Sequence, residues 1–386
     1  MGLKTLEAPV YVNMDLTKHC NFRCIYCSIK DNSTIPISQL PPSHFMSILD
    51  RIAEAEVEDV SFFGGEPFLY PHIYELAYYA KKLGMTIGVI TNGSLIKADD
   101  VKRVVAAFDA GTIALNGLNE VHDKMVGVTG AFDHAIQLIQ SLIREGFEVA
   151  IDTVVSKCNL QNFDDFLTWI GQNLKEVEMV YINTFLAHDE INPSEVFDLE
   201  EFHQALSIID KHVRGELHGK LMLGESAPWC LFPKEFAYLA SSCSPGWRFA
   251  GIDAYGNVRM CSWSSVIVGN LLQTPLRTIW QSSEELRHYR SFSWSDRLCT
   301  SCAARTYCLG GCHVTASDPP YSLAKQWKKY VKPLSIDEVR ILAKQPNFKR
   351  ILKVKRSLMA AGLPSANRAC PAFERLSSER CELRPD

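Results

Sequence analysis

The sequence predicts an α/β protein whose repeated strand–helix units curl into a full or partial barrel, followed by a small cysteine-rich α+β region. Three observations predict this. Apolar strands alternate with amphipathic helices from Val10 to about Arg214. The turn strings rich in Cys, Gly and Asn follow strands. Most of the thirteen cysteines fall in two groups, one near the amino terminus and one after residue 229.

Length and composition bound the answer. A chain of 386 residues has room for one large domain and a smaller one. Apolar content of 47% and charged content of 22% fit a soluble globular protein, and a net charge of −4 gives no pull toward nucleic acid or anionic membrane. MGLKTLEAPVYVNMD lacks the apolar run and cleavage site of a secretory peptide, and no run of about eighteen apolar residues suggests a membrane span. Thirteen cysteines without an export signal point to the cytoplasm, where cysteines serve as metal ligands more often than as disulfides.

The elements follow in order. VYVNMDL is the first strand, and PPSHFMSILDRIAEAE opens a helix near Pro41 with Ile48, Leu49 and Ile52 on one face. The strand VEDVSFF runs into Gly64-Gly65-Glu66-Pro67, and the helix HIYELAYYAKKLG ends at Gly84, a C′ glycine. MTIGVIT leads to Asn92-Gly93 and the helix DDVKRVVAAF; TIALN leads to Asn116-Gly117. The helix GAFDHAIQLIQSLIREG, the strand FEVAIDTVVS, a helix around Phe163 to Asn173 and the strand EMVYINTF complete six units. DLEEFHQALSIIDKHVR then closes the barrel, and GELHGKLMLGES reads as a linker and strand. In parallel βα barrels the site lies at the carboxyl ends of the strands, so these turns share one end. His122-Asp123 offers a possible proton relay, but a pair with no third orienting group reads first as capping or packing.

The chemistry centres on Leu16 to Lys30, LTKHCNFRCIYCSIK, with Cys20, Cys24 and Cys27 spaced CxxxCxxC after the first strand. Three thiolates can hold a four-iron cluster and leave one iron open, whereas a structural zinc site is closed by four ligands. A zinc knuckle is the competing reading. The adjacent glycines Gly64 and Gly65 permit close backbone approach, and Glu66 offers oxygens to an ammonium group; a plain tight turn competes.

The second cysteine group has its own spacing. Cys243-x12-Gly256-x4-Cys261 flanks a hairpin, RFAGIDAYGNVRM, with its turn at Gly256-Asn257. After a helix around Leu276 to Tyr289 comes Cys299-x2-Cys302-x5-Cys308-x3-Cys312, and Cys370 follows. A zinc ribbon is compatible with the CxxC pair alone. Cys158 and Cys381 match nothing in this pattern and read as ordinary thiols.

CxxxCxxC with Tyr26 before its last cysteine, then GGEP, resembles the radical S-adenosylmethionine (SAM) enzymes. The order of the later cysteines resembles their SPASM extension. The likeness covers about Val10 to Pro371. It implies a partial (β/α)6 TIM-like barrel over 1–214, a linker and strand over 215–230, and a SPASM domain over 231–386 with a basic helical insert at 313–369. It implies three 4Fe–4S clusters and SAM as cofactors. Cys20, Cys24 and Cys27 would hold the SAM cluster, with Gly64, Gly65, Glu66, Pro67, Tyr26, Asn92 and, more weakly, Asn116 around SAM. Cys243, Cys261 and Cys312 would hold the first auxiliary cluster, with Cys230 as candidate fourth ligand; Cys299, Cys302, Cys308 and Cys370 would hold the second. Sulfatase-maturing relatives carry a catalytic Asp directly after the cysteine matching Cys261; here Ser262 stands there, which ranks that activity low.

The resemblance further implies reductive cleavage of SAM to a 5′-deoxyadenosyl radical that removes hydrogen from an unactivated C–H bond, fed by a donor such as flavodoxin or ferredoxin. Oxidative modification or crosslinking of a ribosomally made peptide is the first expectation, and a small polar metabolite (an amino sugar or nucleoside, as in antibiotic biosynthesis) the second. A non-catalytic iron–sulfur or zinc scaffold is the third. The first strand begins within about ten residues, so no fused leader-peptide-binding domain is expected ahead of it. In the insert, Ser335 to Glu338 reads as a capping box, and Lys325 to Arg356 holds eleven Lys/Arg against two acids, most simply a solvated face.

Overall fold

Two-residue alternation sets the first strand, β1 (Tyr11–Thr17): Val12, Met14 and Leu16 are buried, while Tyr11, Asn13, Asp15 and Thr17 share the other face. The computed structural model describes residues 6–27, 40–184, 195–224, 226–241, 245–291, 297–308, 310–312, 330 and 332–339. The units continue with α1 (Pro42–Glu54), β2 (Asp59–Gly64), α2 (Ile73–Lys82), β3 (Thr86–Thr91), α3 (Val101–Ala107) and β4 (Ala110–Ala114). Then come α4 (Glu120–Val126), α5 (Ala131–Arg144), β5 (Glu148–Val155), α6 (Phe163–Asn173), β6 (Met179–Thr184), α7 (Leu199–Arg214) and β7 (Leu221–Leu223).

Helix signals lie where the pattern placed them. α1 buries Phe45, Ile48, Leu49 and Ile52. Gly84 follows α2 at φ +85°, a left-handed position that suits glycine. Asp198 and Glu201 form a reciprocal capping box at the start of α7. α4, a seven-residue helix containing His122 and Asp123, was not expected.

β1 to β7 pair in parallel, in chain order. The strand foreseen in GELHGKLMLGES is β7, the seventh parallel strand beside β6. On the far side of β1 the sheet continues with β8 (Phe249–Ile252), parallel to β1, and then with β9 (Asn257–Arg259) and β10 (Ile267–Asn270), both antiparallel. The ten strands form one sheet ordered β10-β9-β8-β1-β2-β3-β4-β5-β6-β7. The cysteine-rich region is thus sewn to the barrel by strand pairing, with Tyr11 opposite Phe249 and Asn13 opposite Gly251.

The sheet is rolled. Tyr26, just after β1, is hydrogen-bonded by Asn116, just after β4, at 2.8 Å. Burial raises the Tyr11 phenol above its ordinary pKa, and Tyr181 of β6 lies close enough to add to the shift. The helix-covered face is apolar, and its side chains form one continuous core with those of the helices. The enclosed face is polar, carrying Tyr11, Asn13 and Asp15 of β1, Ser61 of β2, Asp152 of β5 and Tyr181 and Asn183 of β6.

The helix expected around Leu276 to Tyr289 is two: α8 (Leu276–Ser282) and α9 (Glu284–Arg290), divided at Ser283, whose hydroxyl caps the amide of Leu286. Short helices α10 (Arg297–Thr300) and α11 (Arg305–Cys308) carry Cys299 and Cys308. Ser335 and Glu338 form the foreseen capping box, each side chain accepting the other's backbone N–H. Cys243, Cys370, Cys381 and most of the basic insert lie outside the described residues. No helix among the described residues is long and apolar enough to cross a membrane.

Candidate functional site

The cysteine loop leaves the carboxyl end of β1 and is clamped by backbone from two sides. From β2's turn, Gly65 N–H donates to Thr17 O and Glu66 N–H to His19 O, both at 2.7 Å. From the loop itself, Arg23 N–H and Ile25 N–H donate to Val126 O and Met125 O at the end of α4. Two glycines make the first clamp possible. A Cβ on Gly65 would lie 2.0 Å from His19 O, and one on Gly64 would lie 2.3 Å from Thr17 O. Gly64 also sits at φ +122°.

Glu66 is fully buried, and its carboxylate is committed. It accepts from Thr91 Oγ1 at 2.6 Å, Asn92 N–H at 2.8 Å and Phe68 N–H at 3.1 Å. Burial pushes its pKa up to about 7, and the three donors pull the other way. The side chain therefore ties β2's turn to β3's turn, and backbone oxygens are what this turn leaves for a ligand. Asn92 reaches the cysteine loop through Asn21 Oδ1 at 3.0 Å and the Cys20 sulfur at 3.8 Å. Pro67 begins a buried 3-10 turn behind Glu66.

The three thiols of this loop sense one another. Burial pushes the Cys24 thiol up to about 12; Tyr26 OH donates to its sulfur and opposes that shift, while Cys27 and Cys20 add to it. Cys20 is raised in the same way, with Phe22 N–H donating to its sulfur at 3.4 Å. Neutral buried thiols crowded together in this manner suit iron, whose positive charge holds them as thiolates. Among the described residues no three of His, Cys, Asp or Glu converge closely enough for a single metal ion. A cube of four irons takes its cysteines at separate corners, and so spaces them more widely than one ion does.

Asn116 is buried and well occupied: Nδ2 donates to Tyr26 OH, and Oδ1 accepts Val154 N–H at 2.8 Å. Its own N–H donates to His122 Nδ1 at 3.0 Å, which makes that imidazole nitrogen an acceptor. Burial lowers the His122 pKa to about 4. Asp123 accepts N–H groups of Gly130 and Phe132 at the start of α5. The pair holds turns together, as the packing reading of His122-Asp123 expected.

Sequence reasoning did not single out the polar face beneath this loop. Asp15 Oδ1 is buried with no hydrogen-bond partner, as are Arg259 Nε, Ser262 Oγ and His19 Nε2. Arg259 pairs with Asp253 at 2.7 Å and sits beside Asp15, and Asp152 accepts from Asn183 Nδ2 at 2.6 Å. The signal was present in YVNMDLT, where polar residues recur at every second position of a strand otherwise built for burial.

Burial pushes Asp15 up to about 7 and Asp152 up to about 6. Both hold a proton more tightly when folded than when unfolded. The stability this contributes is full below the unfolded value near 4 and is lost as pH rises through 7 and 6 respectively. Replacing Asp15 by Asn removes its share. Denaturant titration of the cluster-free protein from about pH 5 to pH 8 should show wild type losing stability relative to Asp15→Asn. Parallel curves would contradict the assignment. Taking the difference cancels His122, whose lowered pKa acts in the opposite direction.

Comparison with known proteins agrees with this geometry. The Radical SAM superfamily model matches residues 14–170, and the SPASM iron-sulfur cluster-binding domain model matches residues 243–303. The chain belongs to the radical SAM enzymes that carry a SPASM domain, and its cofactors are SAM and 4Fe–4S clusters. It is 25% identical over 350 residues to an AdoMet-dependent heme synthase of Methanosarcina barkeri, covering 84% of this chain and 99% of that protein. It is 24% identical over 329 residues to a PqqA peptide cyclase of Bradyrhizobium diazoefficiens, covering 81% and 83% respectively. Its fold is similar to that of Streptococcus suis SuiB bound to S-adenosylmethionine, with TM-score 0.68, 19% identity and 80% and 74% coverage.

Proposed function

We propose that this chain oxidatively modifies or crosslinks a ribosomally made peptide, with the peptide entering at the carboxyl ends of the barrel strands. When bound, a 4Fe–4S cluster and SAM would supply reductive cleavage of SAM and with it the capacity to remove a hydrogen atom from an unactivated carbon. Cys20, Cys24 and Cys27 would hold that cluster. The backbone of Gly64, Gly65 and Glu66 would receive the SAM amine, with Pro67 fixing the turn behind them, and Asn92 would flank it. Tyr26 and Asn116 would border the nucleoside side while holding the loop to β5.

The observation that carries the peptide reading is the polar face under the loop. Asp15, Asp152 and Tyr181 offer acceptors and Arg259 and Ser262 offer donors, and the atoms Asp15 Oδ1, Arg259 Nε and Ser262 Oγ have no hydrogen-bond partner. Backbone amides, each with one donor and one acceptor, match such a surface. The named activity of the PqqA peptide cyclase is in keeping with it.

A second reading, tetrapyrrole chemistry, is favoured by the match to 99% of a heme synthase. The carboxyls of Asp15 and Asp152 on the enclosed face weigh against it, because haem precursors carry carboxylates of their own. The test is anaerobic turnover with SAM and a reductant. A short peptide encoded beside this gene should stimulate 5′-deoxyadenosine formation and lose two hydrogens. Stimulation by a tetrapyrrole dicarboxylate or a free amino sugar, with none by peptide, would overturn the reading.

A further inference from the structure

Two backbone segments close around part of the second cysteine group. Pro228, Trp229 and Cys230 form the start of a tight turn that packs on the loop after α11. Trp229 N–H donates to Cys308 Sγ at 3.4 Å, Cys312 N–H donates to Ser226 O at 2.7 Å, and a Cβ on Gly311 would meet Pro228 Cδ at 2.7 Å. The extended stretch 332–334 closes the other side. Leu334 N–H donates to Cys302 Sγ at 3.2 Å, the amide of Lys332 donates to the Cys230 sulfur, and Ala303 N–H donates back to Leu334 O at 3.0 Å. Cys302 N–H in turn donates to Cys299 O.

We infer that Cys230, Cys299, Cys302 and Cys308 together ligate one auxiliary iron–sulfur cluster, with Cys230 taking the corner that the family resemblance gave to Cys370. Amide N–H groups aimed at sulfur are the hydrogen bonds that cluster thiolates accept, and here they reach Cys230, Cys302 and Cys308 from two separate segments. A plain apolar nest of thiols would not need them. Position agrees: Cys230 and Cys299 both lie near Cys308, and Cys302 lies near Cys230. The assignment concerns ligation only and stands apart from the choice of substrate.

The experiment uses full-length protein carrying Cys20→Ala, Cys24→Ala, Cys27→Ala and Cys261→Ala, reconstituted anaerobically with iron and sulfide, so that about four irons remain. Alkylation by iodoacetamide, read by mass spectrometry, should find Cys230, Cys299, Cys302 and Cys308 protected together at least about tenfold, and all four released when a chelator strips the iron. Cys370 should react at one rate in both states. A Cys230 that reacts equally with and without iron, or a protected Cys370, overturns the assignment. In the same background Cys230→Ser should lose the iron or shift the electron paramagnetic resonance of the reduced cluster; unchanged iron with an unchanged spectrum also overturns it. Wild-type chain that takes up no iron would sink the family reading as well, whereas iron uptake with a reactive Cys230 sinks only this ligand set.

Discussion

Cys24→Ala should cut 5′-deoxyadenosine formation by well over about 100-fold, because second-shell partners of a metal already cost 10–100-fold and this residue is placed as a ligand. Its sulfur is the one that Tyr26 OH donates to, and it lies beside both other thiols of the loop. Two cysteines cannot hold the cube at three corners, so iron content should fall by about four per chain while the auxiliary iron remains. The fold should survive. The loop is fastened by backbone bonds at Thr17, His19, Arg23 and Ile25, none of which uses a thiol. Iron analysis, product chromatography and a thermal melt of the cluster-free variant check these outcomes together. Full activity in Cys24→Ala would exclude the cluster from this loop.

Gly65→Ala should be nearly as damaging by a steric route. The new methyl would lie 2.0 Å from His19 O and 2.8 Å from Lys18 C, backbone atoms that have no rotamer to escape into. Overpacking of this kind costs about 1–3 kcal/mol. The turn must move away from the cysteine loop, and the bonds from Gly65 N–H and Glu66 N–H lengthen. A displacement of about 1 Å between reacting partners costs on the order of 100-fold in rate. Iron should remain near the wild-type amount, since no thiol is touched, while SAM affinity and 5′-deoxyadenosine formation both fall. Equilibrium dialysis with labelled SAM separates this from cluster loss. Wild-type affinity and rate would mean that the Gly64–Glu66 turn does not face SAM.

Much of this was legible in the sequence because the signals are local. Alternation in YVNMDLT, the apolar face of PPSHFMSILDRIAEAE and the glycine after HIYELAYYAKKLG each act within one or two turns of chain, and each element lies where expected. α4 escaped because a seven-residue helix gives no periodic run. The pairing of β8 with β1 escaped for another reason. It joins residues far apart in the chain, and no local pattern in RFAGI names its partner. Cys230 shows the same limit. The resemblance made it only a candidate beside Cys243, Cys261 and Cys312, and no local pattern in APWCLFP tells that the turn at Pro228 and the stretch at Leu334 lie against Cys302 and Cys308. Glu66 shows a subtler one. Residue type offered both its carboxylate and its carbonyl oxygens to a ligand, and only Thr91, Asn92 and Phe68 reveal that the carboxylate is already hydrogen-bonded.

The most direct test of SAM chemistry at this loop combines iron content with SAM cleavage in the anaerobically reconstituted wild-type chain, supplied with a strong reductant. About twelve irons per chain and 5′-deoxyadenosine with methionine in equal amounts are predicted. Zinc in place of iron, with SAM left intact, would contradict it.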